Sequence, residues 1–234
     1  MLVVASAATS FLTAAAGIGG GIALLAVMAA LMPPTVLIPV HGVVQIGSNA
    51  ARTMIMLREV RYAIFYPFAV GSVIGSAIGG FFVVQLPPSV LQIALSLFIF
   101  WSAWFKPPAT PAGNLMLGGT GLVSSFLTMF FGATGMFVSA MLKTMKLDRL
   151  AHVATHSICM TAQHVVKVLT FGLLGFAYAP YLPLIGLMIA SGVVGTVLGR
   201  RFLIKLSDDR FHLVLSWVLT ILAVRLLWSG IASL

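Results

Sequence analysis

His41-Gly42-Val43-Val44-Gln45-Ile46-Gly47-Ser48-Asn49-Ala50-Ala51-Arg52 returns, in polar pattern, as His156-Ser157-Ile158-Cys159-Met160-Thr161-Ala162-Gln163-His164-Val165-Val166-Lys167. His41, Gln45, Ser48 and Arg52 stand at i, i+4, i+7 and i+11, which is one face of an α-helix. His156, Met160, Gln163 and Lys167 repeat that stripe, with Asn49 and His164 beside the two lines. Both stripes sit in apolar surroundings. Polar side chains at membrane depth are costly and are by default a functional hypothesis.

The composition demands such surroundings. The chain has 234 residues, of which 60% are hydrophobic and 7% charged, with a mean hydropathy of +1.12. Soluble domains carry about 25% charged residues, so this is a polytopic membrane protein. Long apolar segments predict helices rather than the short alternating strands of a barrel. The fold class is therefore all-α. The single cysteine, Cys159, excludes a disulfide framework and reads as a packed core residue. The net charge of +9 comes from Lys and Arg scattered through short connections, as membrane orientation requires. It does not point to nucleic acid. Met1 to Ala16 lacks a basic leading region and reads as part of the fold rather than a signal peptide.

Eight apolar regions are expected: 2–31, 34–57, 61–85, 88–105, 112–145, 149–173, 179–205 and 211–231. They are separated by Pro pairs, Gly and charges. The repeat extends beyond the polar stripes. Ser10-Phe11-Leu12-Thr13 matches Ser125-Phe126-Leu127-Thr128, and Gly17 and Gly20 match Gly132 and Gly135. After a short insertion near residue 178, Gly75, Gly79 and Phe82 match Gly195, Gly199 and Phe202. Each half then holds four regions: a first repeat at 1–106, a Pro-rich linker at 107–113 and a second repeat at 114–234.

Charge sets the topology. The first region of each half exceeds the ~20 residues of one span and carries a central glycine cluster. If all eight regions cross, the basic loops are split between two sides. If both Gly-rich regions fold back as re-entrant pairs, the loops holding Arg52, Arg58, Arg61, Lys106, Lys143, Lys146, Arg149, Arg200, Arg201, Lys205 and Arg210 all lie on the cytoplasmic side. Three spans plus one hairpin per half make the halves inverted repeats. The Gly tips should meet at the centre, where protein or water covers irregular backbone.

The stripes then line a central site. His donates and can gain a proton, Asn and Gln offer amide N–H groups, and Arg and Lys supply charge. Helix N-termini after the glycine clusters add free N–H groups. Glu59, Asp148, Asp208 and Asp209 are the only acids and all fall in loops. A basic site without a carboxylate fits a small anion, and His is left as the group to couple transport to protons. The expected ligand-binding set is His41, Gln45, Asn49, Arg52, His156, Gln163, His164, Lys167, Gly19, Gly20 and Gly135. Arg52 and Lys167 would draw the anion from opposite mouths. No cofactor or metal is required. Two rival readings are a haem-binding redox protein using His41, His156 and His164, and a membrane hydrolase, for which no nucleophile elbow is visible. A channel is a further alternative. Gly71, Gly75, Gly79 and Gly192, Gly195, Gly199 read as close helix packing. Trp101, Trp104, Trp217 and Trp228 read as interfacial anchors.

Two halves that each open with a Gly cluster in an apolar segment, the Gly17-Ile18-Gly19-Gly20-Gly21 cluster above all, and the stretch from His41 to Asn49 resemble the TauE/SafE sulfite exporter family of membrane permeases, from whose pattern Gly132-Ala133-Thr134-Gly135-Met136 departs in lacking the triple Gly. The resemblance covers essentially the whole chain. It implies movement of sulfite, sulfonates or related small organic anions across a bacterial inner membrane, with no chemical change.

Overall fold

The computed structural model describes residues 1–16, 19–105, 113–201 and 208–233. Gly17, Lys106, linker residues 107–112, Phe202, Lys205 and Ser207 lie outside the described residues. Helices α1 (Leu2–Ala16), α2 (Gly20–Ala29), α3 (Pro34–Ile55), α4 (Tyr62–Val83) and α5 (Pro88–Trp104) are followed by α6 (Asn114–Phe131), α7 (Gly135–Thr144), α8 (Arg149–Leu173), α9 (Leu182–Arg201) and α10 (Asp208–Ile231). Among the described residues there is no strand. The protein is an all-helical polytopic membrane protein. Three helical segments, Tyr62–Val83, Asn114–Phe131 and Ala179–Gly199, are long and apolar enough to cross a bilayer by themselves.

Local chemistry sets the helix starts. Pro34 and Pro88 occupy the first turns of α3 and α5, where a missing N–H costs nothing. Asp148 caps α8, its side chain accepting from the Ala151 N–H at 2.9 Å. Eight expected regions become ten helices because both Gly-rich regions break. Gly19, at φ 98°, precedes α2, and Gly132, at φ 76°, ends α6. These are left-handed backbone positions that favour glycine. The starts of α3 and α8 keep the 115-residue offset of the polar stripes (34 and 149), and α4, α5 lead α9, α10 by 120 (62 and 182, 88 and 208). The added residues fall in the connection containing the short 3₁₀ turn Ala179–Tyr181.

Contacts between particular residues fix the directions of the helices. His41 packs edge-on against His164, at 6.0 Å between ring centroids, and the Arg61 N–H beyond α3 donates to Thr155 Oγ1 near the start of α8. Therefore α3 and α8 are antiparallel. Trp104 donates to Thr220 Oγ1 at 2.9 Å, and Gln92 reaches the Leu226 carbonyl at 3.4 Å. Therefore α5 and α10 are antiparallel too. Corresponding helices of the two halves run in opposite directions, as inverted repeats demand. Across the halves, Gly75 and Gly79 of α4 follow Leu122 and Phe126 of α6, so these helices run parallel. Gly195 and Gly199 of α9 follow Ala7 and Phe11 of α1 in the same manner. The glycine stripes therefore join one half to the other.

The Gly-broken pairs fold back on themselves. Leu117 of α6 and Met141, Leu142 and Met145 at the end of α7 share one apolar cluster with Ile64 of α4. Leu2 and Val3 of α1 and Met28 and Ala29 of α2 share another with Leu37 and Ile185. The arms are unequal. At 1.5 Å per residue the ten residues of α7 span about 15 Å, and the eighteen of α6 about 27 Å. The outer surface is apolar, with Val70, Val73, Phe81, Leu187, Val194, Ile221 and Val224 exposed, as a lipid solvent requires. The tryptophans depart from pure anchoring: Trp104 bonds to α10, and Trp101 stacks on Phe137 of α7.

Two outcomes follow. A β-carbon at Gly75 would strike the Leu122 carbonyl, whereas one at Gly119 meets nothing within 4 Å. Gly75→Val should cost about 3 kcal/mol or more, read as a lowered unfolding midpoint in detergent, with Gly119→Ala near neutral. Arg61 and Asp148 approach to 3.9 Å. Cysteines placed by Arg61→Cys and Lys146→Cys should thus be labelled by an impermeant reagent from the same side of the membrane.

Candidate functional site

Two broken helices need bracing against their neighbours, and the polar stripes supply it. His41 is fully buried, and its Nε2–H donates to the Gly21 carbonyl in the first turn of α2 at 3.0 Å. The Gln45 amide lies 3.2 Å from the same ring nitrogen. In the second half, His156 Nε2–H donates to the Gly135 carbonyl in the first turn of α7, also at 3.0 Å. The repeated histidines are latches that hold each half-helix to its long neighbour.

The rest of the stripes does related work. Gln163 Nε2 lies 3.2 Å from Ser124 Oγ, 3.1 Å from Ser125 Oγ and 3.2 Å from Thr134 Oγ1, which ties α8 to both sides of the α6–α7 break. Its counterpart in the repeat is Ser48, 3.4 Å from Ser10 Oγ on α1. The Lys167 ammonium donates to the Gly132 carbonyl at 3.0 Å. Gly132 follows the last turn of α6, where exposed carbonyls favour a cation. Arg52, at the position equivalent to Lys167, finds no such carbonyl among the described residues. It donates instead to Ser48, Nε to the carbonyl at 3.3 Å and Nη2 to Oγ at 3.1 Å.

Between the two breaks is a cavity of about 180 Å³. An engineered apolar cavity of about 150 Å³ takes up benzene, so this space suits a small molecule. Of the expected set, Gly19, Gln45, Asn49, Arg52, Gly135, His156 and His164 line it. His41, Gln163, Lys167 and Gly20 stand behind the wall. The first three are bonded to the Gly21 carbonyl, to the Ser124, Ser125 and Thr134 hydroxyls, and to the Gly132 carbonyl. Gly20 is turned toward α1, where a β-carbon would strike the Thr9 carbonyl. Arg52 and Lys167 therefore do not mark two mouths: one faces the cavity and the other is spent on Gly132.

Other lining residues were missed from sequence. Thr13 belongs to a repeated stretch, and Met160 is the apolar member of the second stripe. Ser102 and Ala103 of α5 and Ser216 and Leu219 of α10 close the opposite wall. These two helices carry no polar stripe, so no pattern announced them. Met136 and Met160 give the cavity soft, polarisable walls beside its polar face. Arg52, 4% exposed, faces no carboxylate among the described residues. Removing water from a cation is expensive unless a counter-charge arrives. The arrangement offers Arg52, the Asn49 and Gln45 amides and the His164 imidazole as partners for an anion, and no acid is among the lining residues.

A family model described as sulfite exporter TauE/SafE matches residues 2–226. Neither a curated protein nor a solved structure matches the chain.

The Gln163 latch is testable. Gln163→Leu strips one amide from three hydroxyls, and an unsatisfied buried polar group costs about 1–3 kcal/mol. The unfolding midpoint in detergent should fall accordingly, and by less for Ser10→Ala, which removes a single long contact.

Proposed function

The chain belongs to the sulfite exporter TauE/SafE family, and on that premise we propose that it carries a small sulfur-bearing anion, sulfite or a sulfonate, through the central cavity. As a member of a transporter family it is an integral membrane protein, and the reading gives it no chemical step. The proposal extends to the setting: a bacterial inner membrane, basic loops in the cytoplasm, and two inverted repeats at 1–106 and 114–234 joined by 107–113. Transport is by alternating exposure of one site, with a proton moving alongside the anion.

One observation carries the reading. Arg52 lines a buried cavity that holds no acidic side chain among its lining residues. A cation desolvated this way is stabilised when an anion enters, and the Asn49 and Gln45 amides and the backbone N–H groups behind Gly19 and Gly135 add neutral donors. The cavity's apolar side, with Met136, Met160, Ile22 and Leu219, accommodates the carbon of a sulfonate. The haem alternative finds little support, because His41 and His156 use their Nε2 atoms on helix carbonyls.

Direct binding tests the reading. Sulfite, sulfoacetate, acetate and phosphate are titrated into purified protein, and flux is followed in liposomes. Charge-assisted hydrogen bonds contribute about 1.5–3 kcal/mol, so Arg52→Gln should weaken binding by roughly 10- to 150-fold. His156→Ala should weaken it through the latch at Gly135. A folded Arg52→Gln protein with wild-type affinity for every anion would refute the site. Saturable flux with counterflow is expected of a carrier rather than a channel.

A further inference from the structure

Three histidines, His41, His156 and His164, surround the centre, and they are not equivalent. His41 and His156 are repeat-related, and each donates its Nε2–H to a half-helix carbonyl. His164 has no such role. It is 3% exposed and lines the cavity, and no hydrogen bond joins it to a described residue. Its Nδ1, like that of His41, is sealed from solvent without a partner, but His41 has its other nitrogen bound to Gly21 and stands behind the cavity wall. An unpaired buried ring nitrogen is a cost that native proteins rarely carry without use. The repeat sharpens the contrast: the position equivalent to His164 in the first half is Asn49, which also lines the cavity but cannot take a proton.

The groups around His164 are all basic or neutral. From α3 come His41, with its ring edge-on at 6.0 Å, and Arg52, with the Gln45 and Asn49 amides. On α8 itself, His156 lies two turns before and Lys167 one turn after. The residues lining the cavity from α1, α2, α5, α7 and α10 carry no titratable side chain. In the empty cavity a proton on His164 would face only cations. An anion in the cavity removes that penalty and gives the imidazolium a partner.

We propose that His164 is the proton-binding site of the carrier, taking one proton from water as the anion binds. This rests on the anion-transport reading above and assigns its coupling ion a residue. The imidazole lone pair accepts a proton from hydronium, water is left, and the cavity gains one negative and one positive charge together. The occupied cavity is then electrically equal to the empty one, so it can turn through the membrane without carrying net charge. Linkage is reciprocal. The anion promotes protonation, and protonation tightens the anion, so affinity falls as pH rises, by up to about tenfold per unit where one proton is taken up.

The test uses methanesulfonate, whose parent acid is strong, so any proton taken up belongs to the protein. Calorimetric titration of the full-length protein in two buffers of different ionisation enthalpy counts protons bound per anion. Wild type should take up about one at a pH where His164 is neutral. His164→Asn, which copies Asn49, and His164→Gln should bind with no proton uptake and a flat pH profile. Their folding is checked by melting and by monodispersity. Methanesulfonate binding without proton uptake in wild type overturns this proposal and leaves the anion reading standing. So does unchanged uptake in either folded variant. Failure of every anion to bind wild type overturns both. If neither variant folds, wild type still decides: affinity that does not change across the histidine range of pH refutes the coupling.

Discussion

The structure depends on one constraint: an unpaired backbone carbonyl or N–H at membrane depth costs several kcal/mol. Two helices broken in the bilayer can exist only if something nearby meets their open backbone groups. In this chain Lys167 meets the open carbonyl of Gly132 just past the end of α6. His41 and His156 add side-chain bonds that tie the first-turn residues Gly21 of α2 and Gly135 of α7 to α3 and α8. The polar stripes are therefore first of all braces of the breaks. The cavity is what lies between the supported ends.

The same economy explains the differences between the halves. Duplication with inversion gives the centre a near two-fold plan, visible in the antiparallel crossings of α3 with α8 and α5 with α10. A symmetric site would face both sides alike. Here Lys167 is absorbed by a carbonyl while Arg52 faces the cavity, and Asn49 stands opposite the role of His164. The scaffold stays symmetric and the chemistry does not. Glycine stripes make the scaffold possible by letting α4 meet α6, and α9 meet α1, backbone to backbone. Each contact joins one half to the other, so the halves are interlocked rather than merely adjacent.

Much of the fold is legible in the sequence. Hydropathy gives the helical regions, and the duplicated stripe gives the 115-residue offset between α3 and α8. The ligand-binding set is only partly legible. Periodicity places His41, Gln163 and Lys167 on the same face as Gln45 and Arg52, but a face is about 100° wide. Residues along it divide between backbone carbonyls and cavity only when neighbouring helices are in place.

The sequence by itself determined an all-helical membrane protein with an internal repeat and an acid-free polar centre, because composition and period are properties of the chain alone. Tertiary structure decided which polar groups are supports and which face the cavity. It also brought in Ser102, Ala103, Ser216 and Leu219 from helices that carry no polar pattern. Those assignments turn on distances of a few ångströms between segments more than a hundred residues apart, and no local pattern encodes them.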